Sequence, residues 1–180
     1  MKLHSCYINF VFWAPSNFLY LCYCLTNWLL YCSLHIVRCD NTFIRDMSIY
    51  GDFNTPNNDG IDIEDSNNTV ITRVQIDTGD DAICPKTYTG PLYNLTATDS
   101  WIRTKSSAIK LGSASWFDFK ALVFDNITIV ESHRGLGFQI RDGGNISYIS
   151  VCVCSLILIN SSSRTRLLNI YICVYIVQEM

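Results

Sequence analysis

The chain has 180 residues, enough for one domain with a buried core, and a formal net charge of −3. A negative net charge indicates no basic surface for binding phosphate groups and disfavours nucleic acid as a partner. The charge is unevenly spread: positions 34–150 hold 15 acidic and 10 basic residues, whereas seven of the nine cysteines lie outside them. We therefore predict an apolar flank rich in cysteine and aromatic residues at 1–33, a folded domain at 34–150 and an apolar tail without repeats at 151–180.

The first flank contains an apolar stretch, Asn9–Tyr31, that invites comparison with a signal peptide or a membrane anchor. Pro15, Asn17 and Asn27 interrupt the stretch, and no clean small-residue cleavage site follows it. A membrane-spanning helix needs about 20 mostly apolar residues, which 18–37 supplies only roughly. Two interpretations stay open, an export or anchoring signal and a segment that is not a native part of the fold. The tail at 151–180 invites the second interpretation as well.

The middle of the chain repeats. One series of turn positions, asparagine in all but one case, is separated by 27, 26, 25 and 26 residues. Its members are Asn41, Asn68, Asn94, Phe119 and Asn145. A second series of apolar positions steps by 22, 26 and 29 residues, through Ile61, Ile83, Ile109 and Phe138. Short segments of alternating polarity lie between the turns, as expected of strands, and no helical period is present.

Short strands at this spacing predict a solenoid in which each repeat forms one coil. We predict an all-β parallel β-helix of about five coils over 34–150, with the second apolar series aligned inside. A solenoid needs caps that hide apolar surface and unpaired strand edges at its ends. If the flanks are not native, the caps are missing and the solenoid is truncated.

The motifs of the middle region resemble those of glycoside hydrolase family 28, the polygalacturonases and related pectinases. Asn57-Asn58-Asp59-Gly60-Ile61-Asp62 resembles the family's Asn-Thr-Asp-Gly-x-Asp, and Gly79-Asp80-Asp81 matches its Gly-Asp-Asp. The resemblance covers 34–150, well under half of a full-length member. It implies a right-handed parallel β-helix that hydrolyses α-1,4-galacturonan in pectin, outside the cell or in a cell wall. Little or no activity is expected from 180 residues alone.

Glycoside hydrolysis explains why the motifs carry aspartates. One carboxyl group protonates the leaving oxygen, and an ionised carboxylate activates water or attacks. Asp59 and Asp81 are 22 residues apart, which equals the step from Ile61 to Ile83, so we expect them on adjacent coils. Ionising three neighbouring carboxyl groups at once is unfavourable, so the pKa of one of the three is expected to rise. The resemblance assigns Asp80 as the general acid and Asp59 and Asp81 as the pair that activates water in an inverting reaction. The alternative is that Asp59-Gly60 and Gly79-Asp80 form ordinary turns of a solenoid and have no catalytic role.

Two other family motifs are altered. Ser106-Ser107-Ala108 stands where the family has Gly-His-Gly, and Gln139-Ile140-Arg141 stands for its Arg-Ile-Lys. Strand alternation predicts that several lysine and arginine side chains lie on the same side of the solenoid as the aspartates. There they either bind the carboxylates of a uronate substrate or form an ordinary solvated face. The predicted substrate-binding residues are Asn57, Lys86, Lys110 and Arg141.

Three functions stay open at this level. The first is an inverting glycosidase acting on pectic polysaccharide as a monomer, without cofactor or metal. The second is a non-catalytic β-helix that binds polysaccharide through a degraded site, favoured by Ser107 and Gln139. The third is a lyase, which in proteins of similar shape usually needs calcium-binding acids.

Overall fold

The computed structural model describes residues 34–160, together with 11–12, 19–22, 25–29, 164–168 and 172–177. All regular secondary structure in these ranges is β-strand. Within them, no helix is long and apolar enough to cross a membrane. Most of the stretch Asn9–Tyr31 lies outside the described residues, so its two interpretations stay predictions.

The described residues form fifteen strands. Those before the repeat region are β1 (Val11–Phe12), β2 (Leu19–Cys22) and β3 (Leu25–Leu29). Those of the repeat region are β4 (Leu34–Val37), β5 (Asp40–Gly51), β6 (Ile61–Glu64), β7 (Asn67–Thr78), β8 (Ile83–Lys86), β9 (Leu92–Thr104), β10 (Ser107–Ser113), β11 (Phe119–Val130), β12 (Arg134–Ile140) and β13 (Ile146–Asn160). The last two are β14 (Arg164–Leu168) and β15 (Ile172–Ile176).

The strands of the repeat region alternate between two sheets. The short strands form one sheet in the order β1-β4-β6-β8-β10-β12, and the long strands form the other in the order β14-β13-β11-β9-β7-β5-β2. All pairings from β4 to β13 are parallel, whereas β14 and β15 pair antiparallel with β13. Four turns of the solenoid separate β4 from β12. The predicted all-β parallel β-helix is confirmed.

Alternation along each strand places the core inside the coils. In β5, β7 and β9 buried positions alternate with more exposed ones over most of each strand, whereas in the short strands β6 and β8 the first three residues are all buried. Ile61 lies opposite Ile83, and Ile83 lies opposite Ile109, as the second apolar series predicts. Stacking these fully buried residues supplies the apolar column that a single coil cannot build by itself.

The turn asparagines hold the left-handed backbone at one corner of each coil. Asn41, Asn68 and Asn94 have φ values of 58°, 51° and 61°, a region that asparagine tolerates better than most residues. The strand register continues this corner through Ala121 (φ 58°) and Tyr148 (φ 55°). The predicted alignment of Phe119 and Asn145 with this corner is therefore wrong.

The last coil also differs from the prediction. Leu136, and not Phe138, lies opposite Ile109, while Phe138 lies opposite Leu111 and is 41% exposed. Phe138 is exposed because β12 is the edge strand of its sheet in the described chain, so no further described coil covers it. In the same register Gly137 lies opposite Lys110.

Candidate active site

Asp59 and Asp81 precede neighbouring strands of the short-strand sheet. The Gly60 amide donates to the Asp81 carbonyl at 2.9 Å, and the Ile61 amide donates to the Ala82 carbonyl at 2.8 Å. These bonds fix the two aspartates at equivalent places on adjacent coils. As a result, their carboxylate oxygens approach within 4.8 Å of each other.

Two glycines allow the backbones to approach this closely. A Cβ at Gly60 would lie 2.5 Å from the Ala82 carbonyl oxygen. A Cβ at Gly79 would lie 2.2 Å from the Thr55 carbonyl oxygen and 2.7 Å from that of Asp52. The glycine before the Asp80–Asp81 pair is thus required by the packing of the 52–58 loop against it.

Asp80 is anchored by backbone groups. One carboxylate oxygen accepts the Asn57 amide and the other accepts the Asp81 amide, both at 2.9 Å. Its carbonyl accepts the Thr78 hydroxyl at 3.0 Å and the hydroxyl of Thr104. The carboxyl group therefore has a fixed orientation, and each oxygen keeps a lone pair free of these bonds.

Asp81 is held as a buried anion. Its side chain is 3% exposed and accepts the Lys110 ammonium at 2.5 Å, the Ser106 hydroxyl at 2.7 Å and the Ser107 amide at 3.1 Å. Burial raises the pKa of this carboxyl, but these three donors outweigh burial and hold the pKa below its ordinary value.

Asp59 has the opposite electrostatic environment. Burial, followed by the negative charge of Asp62, raises its pKa to about 7, although the Lys86 ammonium opposes the change. Asp80 and Asp81 add smaller contributions in the same direction. Two carboxyl groups at equivalent positions thus differ in the protonation state that each prefers.

Asp62 is the residue that the sequence analysis missed. It accepts Lys86 at 2.7 Å, and the same ammonium lies 3.3 Å from Asp59. Its side chain is 7% exposed, although strand alternation alone predicts a position on the outer face. The signal in the sequence is the second aspartate of the Asn57–Asp62 motif, which lies three residues after Asp59.

The predicted substrate-binding residues lie in different settings. Lys86 and Lys110 adjoin the aspartates, but their ammonium groups are paired with them. Asn57 is exposed and directs its amide to Asp80. Arg141 follows β12, has a side chain 61% exposed and lies 4.0 Å from Asp142, so no described contact links it to the aspartates.

The altered family motif has a defined place in this cluster. Ser106 and Ser107, which stand where the resemblance expects a histidine, both donate to Asp81. Ser106 stabilises the carboxylate through its hydroxyl, whereas the Ser107 bond comes from the backbone amide and does not depend on the side chain at that position. No described histidine contacts the three aspartates.

The comparisons agree with the fold and with the motif pattern. The family model described as "Glycosyl hydrolases family 28" matches residues 25–150. No curated protein and no solved structure was found to match the chain. Because the matched segment is well over half of the sequence and contains the whole aspartate cluster, the chain belongs to glycosyl hydrolases family 28.

Proposed function

We propose that the aspartate cluster hydrolyses the α-1,4-galacturonan of pectin, in the manner of a polygalacturonase, with inversion at the anomeric carbon. Family membership supports a glycosidase with a polysaccharide substrate. The observation that carries the proposal is the close pair of Asp59 and Asp81, with Asp80 separately anchored beside them.

The distance within the pair bears on the division of roles. In inverting enzymes the acid and the base stand about 6.5–9.5 Å apart, because a water molecule must fit between the base and the sugar. Asp59 and Asp81 are within 4.8 Å, which is too close for an acid and a base on opposite faces of the sugar. They are placed to bind one water molecule together, which agrees with the resemblance to the family that assigns Asp80 as the general acid.

The electrostatics give each member of the pair a separate task. Asp81 stays ionised because Lys110 and the serines stabilise its charge, so it can accept the proton of the attacking water. Asp59 is protonated below about pH 7 and positions the same water by hydrogen bonding. One ionised base and one positioning group suffice for the attack.

Asp80 must deliver its proton to the leaving glycosidic oxygen. The backbone amides of Asn57 and Asp81 hold its carboxyl group in place. A fixed orientation is what general acid catalysis needs, since the proton must move along a short path to one oxygen. Inversion then leaves Asp80 ionised and the water-derived proton on Asp81, and exchange with solvent restores both.

Charge near the cluster favours an acidic polysaccharide. Lys105 is exposed immediately before Ser106, with its ammonium 2.6 Å from Asn54. Arg134 follows in the next coil, where its amide donates to the Ser106 carbonyl at 3.0 Å, and its side chain is exposed. Both residues neighbour Ser106, which donates to Asp81, and uronate carboxylates are natural partners of exposed cations.

The stereochemistry of the product tests the proposal. Because little activity is expected from 180 residues alone, the protein is incubated with polygalacturonate at high concentration for a long time, and the new reducing ends are followed by proton NMR. We expect the β-anomer as the first product, and no release from a neutral glucan of similar length. Release of the α-anomer first would contradict inversion, and an unsaturated product that absorbs in the ultraviolet would show a lyase.

A non-catalytic polysaccharide-binding protein is the second candidate. The pairing of Lys86 and Lys110 with the aspartates favours it, because the same ammonium groups neutralise the carboxylates needed for catalysis. Retention of the protein on immobilised polygalacturonate without any cleavage would select this function.

The setting follows from the proposed substrate. Pectin lies in cell walls, so we propose a secreted protein that acts outside the cell. A monomer is sufficient, because all the residues in the proposed mechanism come from one chain.

A further inference from the structure

A buried thiol adjoins the aspartate pair and has no part in the proposed hydrolysis. Cys84 is fully buried, and its sulfur lies within 4.8 Å of carboxylate oxygens of both Asp59 and Asp81. Its S–H donates to the Gly112 carbonyl at 3.1 Å. A sulfur and two carboxylate oxygens converge here from three different positions on two neighbouring coils.

An unsatisfied oxygen lies on the residue that pairs with Cys84. Asp62 lies directly opposite Cys84 in the strand register, and one of its oxygens binds Lys86. The other oxygen, Oδ1, is buried without a hydrogen-bond partner. Since the Asp62 side chain is 7% exposed, water has little access to this oxygen. A buried carboxylate oxygen without a donor is costly and is satisfied by a cation.

The charge of the cluster also leaves room for a cation. Four carboxylates meet here, those of Asp59, Asp62, Asp80 and Asp81, whereas two ammonium groups, those of Lys86 and Lys110, compensate them. When Asp59 and Asp80 release the protons that the proposed hydrolysis assigns to them, the difference is two negative charges. A divalent cation would balance it.

We propose that Cys84, Asp59 and Asp81, assisted by Asp62, form a binding site for a thiophilic divalent cation of the zinc and cadmium class. Zinc takes thiolate sulfur at about 2.3 Å and carboxylate oxygen at about 2.0–2.2 Å in a tetrahedral arrangement, so its ligand atoms stand about 3.5 Å apart. The three atoms already lie within 4.8 Å of one another, and small side-chain rotations complete the site.

The donor set distinguishes this cation from others. Calcium takes six to eight oxygen ligands and magnesium a near-octahedral set of oxygens, so a site with one sulfur and few carboxylates suits neither. Thiolate selects the softer metals. Asp81 and Cys84 lie three residues apart on one coil, whereas Asp59 and Asp62 come from the coil before it, so the complete ligand set is visible only in the fold.

Binding exchanges protons for the metal. The Cys84 thiol loses its proton to solvent and forms a sulfur–metal bond, and Asp59, where protonated, loses its proton as well. The Lys86 ammonium moves from Asp59 and keeps its bond to Asp62. No oxidation or reduction takes place. The metal would take the place proposed for the attacking water, so inhibition of hydrolysis, which rests on the proposed function, is a consequence of binding.

Cadmium titration of the whole chain tests the site without any assay of activity. Cadmium–thiolate bonds absorb in the ultraviolet, and equilibrium dialysis counts the bound ions. We expect Cys84→Ser to lose one bound cadmium per chain and its share of the absorption. The matched control, Cys39→Ser, removes a buried thiol elsewhere in the core and is expected to keep that ion. Equal stoichiometry and absorption in the parent and in Cys84→Ser would overturn the proposal.

A second variant keeps the test decisive if the cysteine substitution impairs folding. Asp62→Asn retains the thiol and is expected to weaken cadmium binding by at least about tenfold, the lower end of the effect of losing a supporting ligand. Calcium at the same concentration is expected not to compete. Unchanged cadmium affinity in Asp62→Asn, or displacement of cadmium by calcium, would contradict the assignment. Cadmium binding without hydrolysis in the metal-free parent would leave the site standing and contradict the proposed function alone.

Discussion

Asp59 and Asp81 lie on adjacent coils with carboxylate oxygens within 4.8 Å, yet their pKa values move in opposite directions. The cause lies in their neighbours. Lys110, Ser106 and the Ser107 amide all donate to Asp81, whereas Asp59 shares one ammonium with Asp62. The pair therefore carries one proton over a wide range of pH.

The first prediction is that Asp59 titrates near pH 7 in the folded, metal-free protein, while Asp81 titrates below the ordinary range of an aspartate. Burial and the charge of Asp62 are the main causes for Asp59. Carboxyl carbon NMR in the presence of a chelator measures both, with Asp59→Asn to assign the signal. Titration of both groups in the ordinary range near pH 4 would contradict the electrostatic argument.

The raised pKa of Asp59 has a consequence for stability. The folded state holds this proton more tightly than the unfolded chain, so its contribution to stability is present below about pH 4 and is lost as the pH rises to about 7. The upper bound of the loss is about 4 kcal/mol. Asp59→Asn is therefore expected to be more stable than the parent at pH 8 and similar to it at pH 4. Denaturant unfolding at both values checks the sign.

The second prediction concerns the ion pair of Lys110 with Asp81. Lys110→Met leaves a nearly buried carboxylate without its cation and is expected to lower the free energy of unfolding by about 3 kcal/mol at pH 7. The loss should shrink as the pH falls, because Asp81 then becomes protonated. Lys120→Met, an exposed lysine on β11, serves as the control and is expected to change stability by less than about 1 kcal/mol. Equal effects of the two substitutions would show that the pair contributes nothing.

The third prediction concerns the close approach at Gly79. Gly79→Ala places a methyl group against the Thr55 and Asp52 carbonyl oxygens, so the 52–58 loop must shift and take Asn57 away from Asp80. We expect a loss of about 1–3 kcal/mol in the free energy of unfolding, together with reduced hydrolysis.

Gly90→Ala is the matched control for this substitution. The nearest atom to a Cβ at Gly90 is 4.0 Å away, and its φ is not in the left-handed region. Thermal unfolding of the two variants compares them directly. A Gly79→Ala protein as stable and as active as Gly90→Ala would show that the loop is free to adapt.

The fourth prediction concerns the left-handed corner at Ala121. Asn94 donates to Asn68 at 2.8 Å along this corner, and Ala121 interrupts the row in the next coil. Ala121→Asn is expected to stabilise the fold by about 0.5–1 kcal/mol, since asparagine tolerates this backbone and can extend the row of amide hydrogen bonds. Ala121→Val is expected to destabilise it, because a β-branched side chain is a poor fit to positive φ. Destabilisation by both would contradict the corner argument.

The sequence predicts the coils well where buried residues repeat regularly. Ile61, Ile83 and Ile109 share one register because each coil must bury an apolar side chain at that place. The prediction fails at Phe138, because size and apolarity made it a better match than Leu136. Strand pairing, which spacing cannot show, decides the register.

The site was only partly predictable for a related reason. Adjacent coils bring Asp59 and Asp81 together, and the 22-residue step shows this in advance. Alternation also places Lys86 and Lys110 on the right face. Alternation does not predict where the ammonium group at the end of a lysine side chain lies. The ion pairs of both lysines with aspartates depend on that position. The burial of Asp62 and Cys84 likewise depends on packing between coils.

The most direct test of the central claim compares Asp80→Asn with its parent on polygalacturonate. The amide has nearly the same shape but no acid proton, so the coil fold should persist while the rate falls by about two to four powers of ten. Asp125→Asn, an exposed acid on β11, is the matched control and should keep the parent's rate. Circular dichroism of all three proteins checks that the fold is unchanged. Loss of hydrolysis in Asp80→Asn alone is the predicted result, and an Asp80→Asn protein as active as its parent would contradict the account.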